Sequence, residues 1–197
     1  MLGTKVNELV RKKAFKLEDI WRTRIRLELE ERLFELALFN LAIDSKLRSC
    51  DLRNLKVQDV SRSGCVMSRA IVKQQKTQQE VHFKITPKTQ QTLSQWIIQN
   101  ALAPTDFIFP SPRREGQPIS YHYYTTLVKR WVTDIGLDKT QYGTHSLPRT
   151  KASLIYAKTK NLMAIQLLLG HAKLESTIEY LGVEIEDALR ISESCET

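Results

Sequence analysis

The chain has 197 residues, of which 42% are hydrophobic and 26% are charged, a balance typical of a single soluble domain with a buried core. This composition excludes wholesale disorder, collagen and a disulfide-stapled miniprotein. The formal net charge is +8, from 30 Lys and Arg against 22 Asp and Glu. Such a charge favours a polyanionic partner, with nucleic acid the leading candidate, although a basic solvated surface explains it equally well.

The charge is unevenly distributed. From Glu175 onward there are seven acidic residues and one base, a net of −6, so residues 1–174 carry +14. No apolar run is long enough to span a bilayer, and no signal peptide is expected after Met1. The cysteines lack the spacing of a disulfide pair or a metal site, which indicates a reducing compartment, and we expect the cytoplasm or nucleoid. They are Cys50, Cys65 and Cys195.

The chain opens with a basic segment. Lys5 to Lys16 contains five bases and one acid without an apolar period, which predicts a mobile basic arm over residues 1–16, or a frayed helix. Its candidate DNA contacts are Arg11, Lys12 and Lys13. Apolar residues then recur at helical spacing from Leu17 to Asp44, a length that predicts two helices, and a further helix is expected over 47–55.

The pattern changes after residue 55. Residues 57–60, 65–72 and 80–85 are rich in β-branched side chains and predict a small three-stranded antiparallel sheet, with a turn at 76–79. Pro87 indicates the first turn of a helix that ends near Asn100. Further helices are predicted over residues 120–135, 145–158, 162–169, 175–181 and 185–192. The expected fold class is therefore α+β, mainly helical.

Conventional enzyme signatures are missing from the sequence. There is no Gly-rich phosphate loop, no Gly-x-Ser-x-Gly elbow and no His-Glu-x-x-His motif. The four histidines lack pairwise ligand spacing, so neither a metal nor another cofactor is expected. They are His82, His122, His145 and His171.

Four short blocks follow one another in an informative order. Arg48-Ser-Cys-Asp-Leu comes first, and Lys76 lies at the predicted hairpin turn. His145-Ser-Leu-Pro-Arg follows, and Leu-Gly-His171 precedes Tyr180 by nine residues with a Ser-Thr pair between them. Over about residues 20–190 this order resembles the catalytic domain of the tyrosine recombinases, the phage integrase family.

The resemblance implies site-specific DNA recombination without metal or cofactor. It assigns Tyr180 as the nucleophile of a 3′-phosphotyrosine intermediate and Arg48 as a phosphate clamp. Lys76 would protonate the leaving 5′ oxygen, while His145 and His171 would donate to phosphate oxygens or move the proton of the nucleophile.

The resemblance also implies partners and boundaries. It implies double-stranded DNA, a homotetramer assembled on DNA, no membrane, and service to a mobile element of bacterial or phage origin. Lys73 and Lys151 are further candidate DNA contacts. The catalytic domain is expected over residues 17–183, and the acidic tail 184–197 is expected to pack on a neighbouring subunit or on its own domain. Too few residues precede Arg48 for the separate core-binding domain of the family.

One position departs from the family pattern. The second arginine of the family lies three residues after the first histidine, where this chain has Pro148. Arg149 follows one residue later, about 100° further around a helix. The lost donor predicts a rate lower by a factor on the order of 10²–10³. Arg149 is equally a displaced clamp or a surface cation.

Three functions therefore stay open. The first is a recombinase whose strand cleavage is impaired, and the second is a catalytically inactive DNA-binding relative or regulator. The third is a basic helical protein that binds another protein and matches the motifs by chance.

Overall fold

The computed structural model describes residues 12–182 and residue 193. The described helices are α1 Leu17–Leu29, α2 Leu33–Ser45, α3 Ser49–Arg53, α4 Val57–Val60, α5 Pro87–Gln99, α6 Tyr121–Asp134, α7 Ser146–Thr159, α8 Leu162–Leu169 and α9 Leu174–Leu181. The described strands are β1 Ser61–Arg62, β2 Cys65–Val66, β3 Arg69–Lys73 and β4 Glu80–Lys84. Arg11 and the predicted helix over 185–192 lie outside the described residues.

Helix α2 is the centre of the core. Every residue from Glu35 to Ser45 is buried, as expected for a mainly apolar helix that has no continuous polar face. Helices α1, α5 and α7 and strand β4 pack around it. The ring of Phe39 on α2 meets Trp131 of α6 edge to face, with centroids 5.4 Å apart.

The predicted three-stranded sheet is wrong in its details, while the mainly helical α+β class is confirmed. Residues 57–60 form helix α4 instead of a strand, because Asp59 accepts the backbone N–H of Lys56 at 2.8 Å and caps its first turn. Ser63 and Gly64, both with positive φ, close β1 and β2 into a separate hairpin. The described strands thus form two two-stranded antiparallel sheets, β1–β2 and β3–β4.

Residues 12–16, expected in a mobile arm or frayed helix, form an extended segment packed on the domain. The backbone N–H of Lys13 donates to the carbonyl of Gln141 at 2.8 Å. That of Phe15 donates to Thr150 Oγ1 at 2.9 Å. The Phe15 ring is buried in the core, so hydrophobic burial and backbone hydrogen bonds hold this segment in place.

The last three described helices form a second, smaller hydrophobic cluster. Ala152 of α7 packs with Ile165 and Leu169 of α8, and Tyr180 of α9 packs against this group. Gly170 ends α8 and Gly182 ends α9, both in the left-handed conformation, which glycine adopts without strain. This arrangement packs α9 on α7 and α8 and brings the end of α8 to the β3–β4 hairpin.

Candidate active site

A cleft of about 810 Å³ collects most of the predicted catalytic residues. They come from segments that are far apart in the chain and meet only in the folded domain. The predicted residues that line it are Arg48, His145, Arg149, His171 and Tyr180. Thr77 lines the same cleft from the β3–β4 turn, and Lys76 is exposed next to it.

Arg48 is the residue that precedes α3, in an extended backbone conformation. Its Nη1 donates to the side-chain oxygen Oε1 of Gln74 at 2.9 Å. Asp51, one turn along α3, accepts the backbone N–H of Gln75 at 2.9 Å through Oδ1. Two hydrogen bonds therefore join the arginine helix to the turn that carries Lys76.

His171 is positioned by the end of α8. Gly170 has φ +65°, which lets the His171 backbone N–H turn back and donate to the carbonyl of Gln166 at 3.1 Å. On the ring, Nδ1 lies 3.0 Å from the hydroxyl Oγ1 of Thr177, and Thr177 is fully buried. Thr177 of the Ser-Thr pair thus orients the imidazole.

Tyr180 is partly buried on α9. Its ring meets the His171 ring edge to face, with centroids 5.5 Å apart. Burial raises the pKa of the Tyr180 phenol above its ordinary value, although the positive charges of Arg149 and Arg48 act in the opposite direction. The hydroxyl is therefore protonated at neutral pH and must transfer its proton before or as it attacks.

The electrostatics of His171 favour a neutral ring. Burial, followed by the positive charge of Arg48, lowers the pKa of His171 below its ordinary value. A neutral imidazole beside Tyr180 has one nitrogen free of a proton, so it is chemically suited to accept or relay one.

Helix α7 carries the departure from the family motif. His145 is exposed immediately before the helix, and Pro148 is buried at its third residue. The Arg149 guanidinium donates through Nη1 to the carbonyl of Lys12 at 3.0 Å and through Nη2 to the carbonyl of Leu181 at 3.0 Å. Arg149 therefore lines the cleft while it joins the N-terminal segment to the last turn of α9.

The predicted DNA contacts lie in different surroundings. Lys12 lines the cleft and its Nζ donates to the carbonyl of Thr140 at 2.6 Å. Lys13 and Lys73 are exposed. Lys151 is partly exposed, and its Nζ lies 3.9 Å from the buried carboxylate of Asp44.

Sequence reasoning missed two residues that support the site. Gln74 contacts Arg48, and no motif marked it, although it lies two residues before Lys76. Thr177 contacts His171, and the sequence motif included it only as part of the Ser-Thr pair, without assigning it a role. Both act through contacts that depend on tertiary structure.

Residues 12–182 and 193 contain neither a candidate membrane span nor a candidate metal cluster. No described helix has the length and apolarity needed to cross a membrane. Over the same residues, His, Cys, Asp and Glu side chains form no group of three or more that could hold a metal ion.

The fold and the order of the motif residues are those of a tyrosine-recombinase catalytic domain. Residues 25–187 match the model of the phage integrase family. The chain belongs to this family.

Individual relatives agree with this assignment. The tyrosine recombinase XerH of Helicobacter pylori is 24% identical over 176 residues, 86% of this chain and 48% of that protein. The "Probable integrase/recombinase YoeC" of Bacillus subtilis is 26% identical over 153 residues, 78% of this chain and 79% of that protein. The chain thus spans about half the length of the Helicobacter relative.

Solved structures show the same fold. The crystal structure of XerH bound to a palindromic difH substrate, a post-cleavage complex, matches 93% of this chain and 52% of that chain with a TM-score of 0.72 and 23% identity. The crystal structure of XerA recombinase matches 93% of this chain and 65% of that chain with a TM-score of 0.75 and 16% identity.

Proposed function

We propose that the chain is a site-specific DNA recombinase that cuts and rejoins strands through Tyr180, with cleavage impaired by Pro148. One observation carries the proposal: a single cleft collects Arg48, His145, His171 and Tyr180 from four segments of the chain. These side chains supply a nucleophile, a cationic fork and two proton carriers at one place. Phosphodiester exchange without a metal needs these groups.

The proposed reaction conserves the phosphodiester bond. The Tyr180 oxygen attacks the scissile phosphorus and passes its proton to the neutral imidazole of His171, while the bond from phosphorus to the 5′ oxygen breaks. The 3′ end stays on the enzyme as a phosphotyrosine, and Lys76 from the exposed turn gives a proton to the departing 5′ oxygen. Attack by a 5′-hydroxyl from another strand then releases Tyr180 and rejoins the DNA.

The clamp on the phosphate is incomplete in this proposal. Arg48 supplies a planar fork for the non-bridging oxygens, and His145 and His171 add single donors. Pro148 has no donor at all. Arg149 has already committed two N–H groups to the carbonyls of Lys12 and Leu181, so recruiting it would break hydrogen bonds to a charged group, each of which contributes roughly 1.5–3 kcal/mol.

We extend the proposal to the substrate, the assembly and the cellular location. Double-stranded DNA is the substrate, residues 17–183 are the catalytic unit, and two DNA sites are brought together by a homotetramer. Such a protein acts in the cytoplasm, on the nucleoid of its host. Because phosphate contacts release counterions, affinity for duplex DNA should fall steeply with salt, with a slope of about −0.9 per phosphate contacted.

Covalent trapping tests the proposal. The probe is a set of nicked duplexes that tile the DNA on both sides of the gene, so that the short fragment diffuses away after cleavage and the adduct persists in detergent. The proteins are the native chain, Pro148→Arg, Pro148→Lys and Tyr180→Phe. Pro148→Lys restores the charge without the planar fork and is the matched control.

The outcomes separate the alternatives. We expect Pro148→Arg to trap on the order of 10²–10³ times faster than the native chain, with Pro148→Lys in between and Tyr180→Phe inactive. If Tyr180→Phe still forms the adduct, the assignment of Tyr180 as the nucleophile is refuted. If the native chain and Pro148→Arg trap at equal rates, the proposal that Pro148 impairs cleavage is refuted.

The second candidate is a DNA-binding relative or regulator that has lost cleavage. It is favoured by the absence of a donor at Pro148 together with the engagement of Arg149 in backbone contacts. It predicts sequence-specific retention of one of the tiled duplexes without any adduct, even for Pro148→Arg.

A further inference from the structure

Gln74 lies where three parts of the site meet. It is only 2% exposed, in the hairpin between β3 and the turn that carries Lys76. Its side-chain oxygen Oε1 accepts from Arg48 Nη1 at 2.9 Å and from Thr77 Oγ1 at 2.7 Å. Its Nε2 donates to the carbonyl of Leu169 at 3.4 Å, one residue before Gly170.

The backbone of Gln74 fixes the same turn. Its N–H donates to the carbonyl of Gln79 at 2.9 Å, and its carbonyl accepts from the N–H of Gln78, also at 2.9 Å. These bonds fix the backbone position of Gln74 in the hairpin. Its side chain joins both Arg48 and the end of α8 to the turn, beside the separate bond from the Gln75 backbone N–H to Asp51.

The chemistry of the position selects an amide. Oε1 faces two donors and Nε2 faces a carbonyl, so the side chain must accept on one atom and donate on the other. An ionised glutamate would place one acceptor oxygen opposite another, the carbonyl of Leu169, and its negative charge would compensate the positive charge of Arg48. A methionine of similar length would leave the Arg48 donor without its buried partner, which is costly.

We propose that Gln74 is a positioning residue that aligns Arg48 with the turn carrying Lys76 and with the end of α8, which leads to His171. This inference rests on the proposed function, since it assigns Gln74 to the geometry of phosphodiester exchange. Gln74 does not touch the reacting atoms in this role. It sets where the arginine fork and the turn stand relative to each other and to the end of α8.

The neighbouring glutamine provides a matched control. Gln75 is exposed, and only its backbone groups appear in the hydrogen bonds of the turn. Gln75→Met and Gln75→Glu therefore make the same chemical changes one residue away without altering the contact to Arg48. A difference in trapping rate between the Gln74 and Gln75 variants therefore reports the contact to Arg48, because the composition of the turn changes in the same way in both.

The first experiment measures trapping rate and DNA affinity separately, in the native and Pro148→Arg backgrounds. Gln74→Met should slow covalent trapping of the nicked duplexes roughly 100-fold, the cost of an ångström-scale misplacement, with little change in the affinity for the same duplex. The Gln75 variants should trap at the parent rate. Equal trapping by Gln74→Met and Gln75→Met, from a parent that does trap, would overturn the inference.

A pH profile separates positioning from simple loss of stability. Trapping by Gln74→Glu, divided by the parent rate at each pH, should recover as the pH falls. A protonated carboxyl again donates to one neighbour and accepts from the other, and it no longer compensates the positive charge of Arg48. Gln74→Met should stay low at every pH. Losses that follow the melting temperatures of the variants, without recovery in acid, would show a purely structural role and contradict the proposal.

Hydrogen exchange decides the matter even if no protein traps DNA. The backbone amides of Gln75 and Gln78 should exchange faster in Gln74→Met and in Arg48→Met, while Gln75→Met leaves the amide of Gln78 protected. Unchanged protection of Gln78 in both Gln74→Met and Arg48→Met would refute the coupling. Failure of trapping in every background would count against the proposed function alone.

Discussion

Gly170, in the Leu-Gly-His block, offers the sharpest test of how the site is built. The residue has φ +65°, and a Cβ placed on it would lie 2.9 Å from Val81 Cγ2 in strand β4. Replacing it with alanine therefore imposes two separate costs. One is the left-handed backbone of a residue with a Cβ, and the other is the collision with the buried hairpin.

The two costs can be estimated separately, and a second substitution at Val81 removes only the collision. The left-handed conformation costs alanine roughly 1–2 kcal/mol, and overpacking of a filled core adds roughly 1–3 kcal/mol. We expect Gly170→Ala to lower the free energy of unfolding by about 2–5 kcal/mol, the sum of the two costs. Val81→Ala should cost about 2 kcal/mol by itself, because Val81 is fully buried and the change leaves a cavity.

Urea unfolding of four variants measures these terms. Gly136→Ala is the control, since Gly136 has φ +78° and open space around its Cβ position, so it reports the backbone cost alone. In the double variant of Gly170→Ala and Val81→Ala the collision disappears, and the total loss should be about 1–3 kcal/mol smaller than the sum. Additive losses, or a Gly170→Ala loss no larger than that of Gly136→Ala, would refute the reasoning.

Three further predictions concern charge and ionisation. Glu35 accepts from Arg32, Arg130 and Trp131, so Glu35→Gln should lower the free energy of unfolding by about 2–4 kcal/mol in a thermal or urea melt at pH 7. Burial would raise the pKa of Glu35, but these hydrogen bonds outweigh it and lower the pKa. The difference in free energy of unfolding between Glu35→Gln and the native chain should therefore shrink as the pH falls below about 4.5. A difference that stays constant with pH would contradict this role of Glu35. The ¹³C signal of the Tyr180 ring should show no ionisation up to pH 10, because burial raises the pKa of this phenol; a midpoint at or below pH 10 would contradict it. Arg149→Gln should increase hydrogen exchange near Leu181 and slow trapping about tenfold in the Pro148→Arg background; unchanged trapping there would show that its contact to α9 is dispensable.

The sequence predicted those features that depend on local chemistry. Pro87 begins α5 where a proline is tolerated, and α8 has the predicted bounds Leu162–Leu169. The order of the motif blocks identified the family, and the cleft collects the expected residues Arg48 and Tyr180 with both motif histidines. The catalytic roles of these residues stay predictions.

One feature that sequence reasoning missed depends on local backbone conformation, and the others depend on contacts between distant segments. The β-branched run after residue 55 was divided by the turn at Ser63 and Gly64, whose hairpin is closed by local backbone geometry that periodicity does not detect. Lys12 belongs to a basic stretch without an apolar period, and burial of Phe15 together with hydrogen bonds to residues 140–150 holds that stretch on the domain. Gln74 has no motif of its own, because its role arises from Arg48, 26 positions before it, and from Leu169, 95 positions after it.

Pro148 separates the requirements of folding from those of chemistry. At the third residue of α7 the backbone N–H would have no helical partner in any case, so proline is tolerated there without breaking the helix. The contacts that orient the other groups do not pass through position 148: Gln74 holds Arg48, and Thr177 orients His171. In the proposed function, Pro148 therefore leaves the site assembled and supplies no donor to the phosphate. We expect its effect in the rate of cleavage and not in stability, and the trapping rate of Pro148→Arg tests this.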